Sequence, residues 1–135
     1  MSVLPTASGS FGDKPVLTFP GTPAPADLAV EVLQHGDGDV VEAGDDIEVN
    51  YFGQIWDGRV FDTSYDRGQS ISFPIGVGAV IAGWDEALVG VSVGSRVLIS
   101  IPPHLGYGER GMPRAGIGGT DTLVFVVDVV GTRHH

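Results

Sequence analysis

Alternation of apolar and polar residues recurs along most of the chain and predicts a largely β structure. In "DIEVNYFGQIW" the apolar residues Ile47, Val49 and Tyr51 share one face, which is typical of a half-buried antiparallel strand. The Asp-Gly pair in "WDGR" follows this segment and favours a tight turn. We therefore predict a hairpin between Ile47–Trp56 and Val60–Phe61.

Other segments repeat this strand pattern, and one segment changes period. "LAVEVLQ", "SRVLISI" and "TLVFVVDVV" alternate in the same way, and "SISFPI" is typical of a short strand. In "VIAGWDEALVG", Ile81, Trp84, Asp85 and Leu88 recur at helical spacing, and Gly90 is a suitable C-cap. About five antiparallel strands and one short helix predict an α+β fold in which the sheet wraps over the helix.

The first 25 residues differ in composition from the rest of the chain. Proline fixes φ and removes a backbone donor, so this stretch predicts an extended arm more than a packed element. We divide the chain into an arm (1–25), one folded domain (26–131) and a tail (132–135), where a His pair is typical of a tag remnant. Five of the nine prolines fall in the arm: Pro5, Pro15, Pro20, Pro23 and Pro25.

Composition excludes several classes of protein. The formal net charge is −10 and no Lys/Arg cluster reverses it locally, so nucleic acid is not an expected partner. No apolar run approaches the ~20 residues of a membrane-spanning helix, and the N-terminus lacks the features of an export signal. The absence of cysteine excludes disulfides and thiolate metal sites and fits a reducing compartment. We therefore expect a cytoplasmic protein that does not contact membranes.

Motifs of known chemistry are incomplete here. Gly90–Gly94 matches G-x-S-x-G, but a nucleophile elbow needs a strand before it and a helix after it. The predicted order is reversed, so Ser92 is interpreted as a turn residue. No phosphate loop is present, and His35 and His104 are isolated from other ligand types. We expect neither a metal nor a cofactor.

What remains is a set of aromatic and apolar residues beside a few polar ones. Taken singly, each ring is most simply explained as part of the core. Taken together with one carboxylate and two tyrosine hydroxyls, they favour an apolar cup with a few placed polar groups. The residues are Tyr51, Phe61, Asp62, Val80, Ile81, Trp84, Tyr107 and Phe125.

The order of three blocks resembles a known family. "VNYFGQIWDGRVFDTSYDRG", "IGVGAVIAGWDEALVGVSVGSRVLISIPPHLGYGERG" and "DTLVFVVDVV" are similar to successive blocks of the FKBP-type peptidyl-prolyl cis–trans isomerases, over about Leu28 to Val130. The resemblance implies an FKBP-like fold and catalysis of rotation about Xaa-Pro bonds, assisting protein folding. It implies a catalytic group of Tyr51, Asp62, Trp84 and Tyr107. It implies a substrate-binding group of Phe61, Ile71, Val80, Ile81, Ile117 and Phe125.

The resemblance also assigns roles. The Trp84 indole is the floor under the proline ring, and the backbone N–H of Ile81 and the hydroxyl of Tyr107 donate to peptide carbonyls. Asp62 lies beside the pocket as an acceptor. The chain departs from many relatives at four positions in and around this set: Asn50, Ile71, Met112 and Gly116.

Partners follow from the same resemblance. It implies proline-containing polypeptides as substrates and tacrolimus- or rapamycin-type macrolides as ligands. The alternative is a non-catalytic module of the same fold that binds a proline peptide or a partner. Val16, Leu17 and Phe19 predict that part of the arm covers an exposed sheet edge; the alternative is that Phe19-Pro20 enters the pocket of a second molecule.

Overall fold

The computed structural model describes residues 4–134. Residues 1–3 of the predicted arm and His135 lie outside the described residues. No helix in the described part of the chain is long and apolar enough to cross a membrane. The elements are β1 (Thr6–Ala7), β2 (Leu17–Thr18), β3 (Ala29–Gln34), β4 (Asp46–Ile55), β5 (Val60–Thr63), α1 (Ser64–Arg67), β6 (Ile71–Pro74), α2 (Ala82–Leu88), β7 (Arg96–Ile101) and β8 (Leu123–Arg133).

The main sheet is antiparallel and has six strands. Its order is β3-β7-β8-β4, and the long strand β4 pairs with β6 over its first half and with β5 over its second. The predicted hairpin is β4–β5, and the predicted short strand is β6. Short 3₁₀ turns over Pro103–Leu105, Gly108–Arg110 and Pro113–Ala115 occupy the connection from β7 to β8.

Helix α2 is the predicted short helix, and it lies against the inner face of the sheet. Its buried residues are Gly83, Trp84, Ala87 and Leu88. A Cβ at Gly83 would come within 2.7 Å of the Ile101 side chain, so glycine permits the close approach of the helix to β7.

The turn from α2 to β7 explains the G-x-S-x-G match. The helix ends at Leu88, and Gly90 and Gly94 both have a φ of +94°, a conformation that glycine adopts without steric cost. Ser92 lies between them, where its backbone pairs with that of Val40. The segment is a helix-to-strand turn, as predicted.

The central strands of the sheet are buried on both faces. The inner face packs against α2 through residues that include Val49, Val97 and Val127. The outer face carries a second apolar cluster of Phe52, Leu98, Val124 and Val126, closed by Leu17 of the N-terminal segment. Strand β7 is therefore buried at every position, whereas the alternating pattern predicted a half-buried strand.

The N-terminal segment differs from the predicted unpacked arm. Its strands β1 and β2 form a hairpin, and Leu17 is 8% exposed against the outer sheet face. Phe19 packs edge-on against Trp56 with ring centroids 5.3 Å apart. Apolar burial thus overrides the proline content, and the segment covers a sheet face and not an edge. That residues 26–131 fold by themselves stays a prediction.

The C-terminal boundary also differs from the prediction. Strand β8 continues to Arg133, so Thr132 and Arg133 pair with β4 and are not a tail. The His134 imidazole lies 2.7 Å from a carboxylate oxygen of Asp45.

Candidate active site

One cavity brings most of the predicted site residues together. Its volume is about 490 Å³, and it opens beside the N-terminus of α2. Five elements and two loops contribute: β4, β5, β6, α2 and β8, the loop before α2, and the loop after β7. The lining residues are Tyr51, Phe61, Asp62, Ile71, Gly78, Ala79, Val80, Ile81, Trp84, Tyr107 and Phe125.

Trp84 lies at the centre of an aromatic cluster. Its ring centroid is 5.1 Å from that of Phe125, 5.4 Å from that of Tyr51 and 5.4 Å from that of Phe73. The Tyr51 and Phe125 rings stand nearly perpendicular to the indole, which is a favourable aromatic geometry. Trp84 is only 5% exposed, so it is both part of the core and the floor of the cavity.

The indole N–H of Trp84 has no hydrogen-bond partner within residues 4–134, and it is shielded from solvent. Leaving a buried donor unpaired costs about 1–3 kcal/mol. The unpaired indole donor therefore lowers the stability of the folded state.

A triad of polar side chains lies on one wall of the cavity. The Tyr51 hydroxyl donates to Asp62 Oδ2, Arg67 donates to Asp62 Oδ1 over 2.6 Å, and the same guanidinium donates to the Tyr51 hydroxyl oxygen over 2.8 Å. Arg67 is a residue that the sequence analysis missed. Its signal was the pairing of Asp62 with a cation five residues later, at the end of the short helix α1.

The electrostatics of this wall keep Asp62 ionised. Burial opposes ionisation, but hydrogen bonds from Tyr51 and Arg67, together with the Arg67 charge, outweigh it and hold the pKa of Asp62 below its ordinary value. Burial, and next the hydrogen bond to Asp62, raises the pKa of the Tyr51 hydroxyl. Burial, and next the Asp62 charge, raises the pKa of the Tyr107 hydroxyl. At neutral pH the cavity is lined by the Asp62 carboxylate, which is paired with the Arg67 guanidinium, and by two protonated phenols.

Tyr107 and Ile81 each bring a hydrogen-bond donor to the cavity that has no acceptor within residues 4–134. Neither the Tyr107 hydroxyl nor the backbone N–H of Ile81 donates to any described residue. Tyr107 lies between two 3₁₀ turns, and Ile81 is the residue that precedes the first turn of α2. Donors of this kind are available to a bound ligand.

Asp85 fixes the loop that carries Val80 and Ile81. Its two carboxylate oxygens accept from the backbone N–H groups of Gly76, over 2.7 Å, and Gly78, over 2.9 Å. Sequence periodicity placed Asp85 on the helix but gave no signal for this contact.

Ile117 is the predicted site residue that the cavity does not include. It is 4% exposed and belongs to the main core, with its backbone paired to Met112. Among the four positions that depart from many relatives, Ile71 lines the cavity. The Asn50 side-chain oxygen accepts a hydrogen bond from the buried Ser64 hydroxyl over 3.0 Å. Gly116 ends the 3₁₀ turn that precedes Ile117.

The fold and the cavity define a small α+β domain with an apolar, aromatic binding site. A family model described as "FKBP-type peptidyl-prolyl cis-trans isomerase" matches residues 38–130. The chain belongs to this family, as the sequence blocks predicted.

Individual relatives agree with this assignment. The "FK506-binding protein" of Streptomyces anulatus is 44% identical over 119 residues, which cover 87% of this chain and 96% of that one. The "Probable FK506-binding protein" of Corynebacterium glutamicum is 39% identical over 119 residues, 87% of this chain and 98% of that one. The crystal structure of AtFKBP13 superposes with a TM-score of 0.73 at 34% identity, covering 82% of this chain and 96% of that chain. The predicted fold class is confirmed.

Proposed function

We propose that the cavity receives the proline ring of an Xaa-Pro segment and accelerates rotation about the preceding peptide bond without covalent chemistry. The observation that carries this proposal is the pairing of an apolar aromatic floor with two unpartnered donors, the Tyr107 hydroxyl and the Ile81 N–H. A ring-sized apolar group fits the floor, and the donors suit the carbonyl groups on either side of it.

Catalysis of this rotation requires only that the conjugation within the Xaa-Pro peptide bond be weakened. Rotation about a peptide bond faces ~18–20 kcal/mol because the nitrogen lone pair is conjugated with the carbonyl, and uncatalysed prolyl isomerisation takes tens to hundreds of seconds. A dry apolar wall disfavours the dipolar planar amide relative to the twisted one. Each ~1.4 kcal/mol of preferential stabilisation gives a tenfold faster reaction, so a few contacts suffice.

The polar triad of Tyr51, Asp62 and Arg67 holds the polar groups of the site in fixed positions. Asp62, held ionised by Tyr51 and Arg67, is a fixed negative charge at the cavity edge. A fixed polar group costs no reorganisation when the amide twists, and Asp62 holds the Tyr51 hydroxyl and the Arg67 guanidinium in place at the cavity edge. We assign Trp84, Tyr51, Asp62 and Tyr107 to the twisting step. Phe61, Ile71, Val80, Ile81 and Phe125 shape the site.

The same cavity suits tacrolimus- or rapamycin-type macrolides, and two of the relatives are named as FK506-binding proteins. We propose that such a macrolide occupies the cavity in competition with peptide. Ligand at 100 times its Kd stabilises the folded state by about 2.7 kcal/mol, so the melting temperature should rise. No rise at saturation would contradict macrolide binding to a cavity that carries Ile71.

The isomerase itself is tested with a prolyl peptide and with a protein whose refolding is limited by prolyl isomerisation. The wild type should accelerate both, which also tests a role in protein folding. Asp62→Ala should lower kcat/KM with a small stability cost, because the Asp62 side chain is 41% exposed. A wild type that binds the peptide without accelerating either reaction would instead be the non-catalytic binding module.

A further inference from the structure

The N-terminal hairpin is joined to the sheet by a buried charged cluster as well as by apolar contacts. Arg96 and Asp128 face each other from β7 and β8, almost fully buried, with Arg96 Nε 2.7 Å from Asp128 Oδ1. Arg96 also donates to the backbone oxygen of Asp13, and the Gly12 N–H donates to Asp128 Oδ2 over 2.8 Å. The tip of the hairpin therefore completes the hydrogen bonding of a buried ion pair.

Helix α1 joins the same cluster through Tyr65. The Tyr65 hydroxyl donates to Asp128 Oδ2, and Arg96 Nη2 lies 3.5 Å from the phenolic oxygen. An exposed ion pair adds to this link, since Lys14 Nζ of the hairpin is 2.6 Å from Asp66 Oδ1 of α1. One side of α1 is thus held by the hairpin and by the two buried charges.

The other side of α1 carries Arg67, a member of the polar triad on the cavity wall. Arg67 follows Tyr65 by two residues in this four-residue helix, and its guanidinium holds both Asp62 and the Tyr51 hydroxyl. The Ser64 hydroxyl oxygen accepts from the Tyr51 N–H over 2.8 Å. A displacement of Tyr65 therefore displaces the groups that fix Asp62.

We propose that Tyr65 is a positioning residue for the isomerase site, and that the N-terminal hairpin, by completing the Arg96–Asp128 cluster, is part of the catalytic domain. This inference rests on the proposed roles of Asp62 and Tyr51. It replaces the expectation that residues 1–25 form an extended arm outside the folded domain. Leu17 and Phe19 of the arm pack on the outer sheet face, so the hairpin acts from behind the sheet and not by entering a pocket.

The test is Tyr65→Phe in the full chain, which removes one hydroxyl and no ring. The expected result is a fall in kcat/KM of about three- to tenfold, the effect of losing one well-placed hydrogen bond. The pKa of the Asp62 carboxyl, followed by carbon-13 NMR, should rise toward its ordinary value as Arg67 loosens. Leu17→Ala, which loosens the hairpin, should move both quantities in the same direction by less.

Val41→Ala is the control. Val41 is a buried residue of the inner-face core, not of the outer-face cluster that contacts the hairpin, and its backbone is hydrogen-bonded to the α2–β7 turn. It should lower the melting temperature without moving the Asp62 pKa. The proposal is overturned if Tyr65→Phe leaves both the Asp62 pKa and kcat/KM unchanged, or if Val41→Ala reproduces its effects. An inactive wild type would refute the proposed function, whereas the Asp62 pKa would still decide the positioning role.

Discussion

Replacing Trp84 by phenylalanine separates the two ways in which an indole acts in a binding site. The indole can offer an apolar surface to the proline ring, or it can donate its N–H to a peptide carbonyl. In the structure this N–H is buried and lacks a partner within the described residues. We therefore assign the apolar surface alone to Trp84.

The stability cost follows from the same observation. Phenylalanine has about three fewer ring atoms, and losing their burial costs about 2 kcal/mol at ~0.8 kcal/mol per buried group. Removing an unpaired buried donor returns about 1–3 kcal/mol, so the two terms nearly cancel. Trp84→Ala removes the ring from contact with Tyr51, Phe73 and Phe125 and should cost about 3–5 kcal/mol.

Urea unfolding and isomerisation of a prolyl peptide measure the two quantities. We expect Trp84→Phe to change the free energy of unfolding by less than about 1 kcal/mol and to keep kcat/KM within about tenfold of the wild type. Trp84→Ala should lose most activity. If folded Trp84→Phe is as inactive as Trp84→Ala, the indole N–H takes part in the reaction and the apolar-floor argument fails.

Two further predictions concern the loop before α2 and the pH profile. Asp85→Ala should lower the free energy of unfolding in urea by about 1–2 kcal/mol and raise KM as the loop loosens. Glu86→Ala, at an exposed neighbouring position, should change neither quantity. Equal effects of the two substitutions would contradict the role of Asp85 in fixing the loop. Because the Asp62 pKa lies below its ordinary value of 3.8, the stabilisation it provides is present above 3.8 and is lost as pH falls through the lowered value. The raised phenol pKa values of Tyr51 and Tyr107 keep both protonated through neutral pH. Profiles of kcat/KM against pH should thus be flat through neutrality, and an inflection there would show that another group titrates in the mechanism.

Local patterns predicted the sheet and the helix because their residues obey period-2 and period-3.6 spacing. The strands of the predicted β4–β5 hairpin and helix α2 are present in the structure. A period-2 pattern indicates burial of one face only. Alternation in β7 describes a strand with one solvated face, yet Leu98 on the other face is fully buried beneath Leu17, and no local pattern shows a contact across 81 residues.

Site residues were predictable where their role follows from the residue type. They were less predictable where their role depends on how the fold positions them. Aromatic side chains around one carboxylate indicated a cup, and ten of its eleven lining residues come from segments in the resembling blocks. Arg67 was missed because its role depends on the turn of α1 that aims it at Asp62. Ile117 was assigned to the pocket by position in the family pattern, but the loop around Gly116 directs it into the core.

The most direct test of the central claim is exchange NMR at equilibrium on a prolyl peptide whose cis and trans signals are resolved. We expect catalytic amounts of the protein to shorten the exchange time from tens of seconds to below a second. A macrolide that shifts the Trp84 signals should stop this acceleration by occupying the same cavity. A peptide that perturbs Trp84 while its cis–trans exchange keeps the uncatalysed rate would contradict the claim, because the cavity would then bind proline without catalysing its isomerisation.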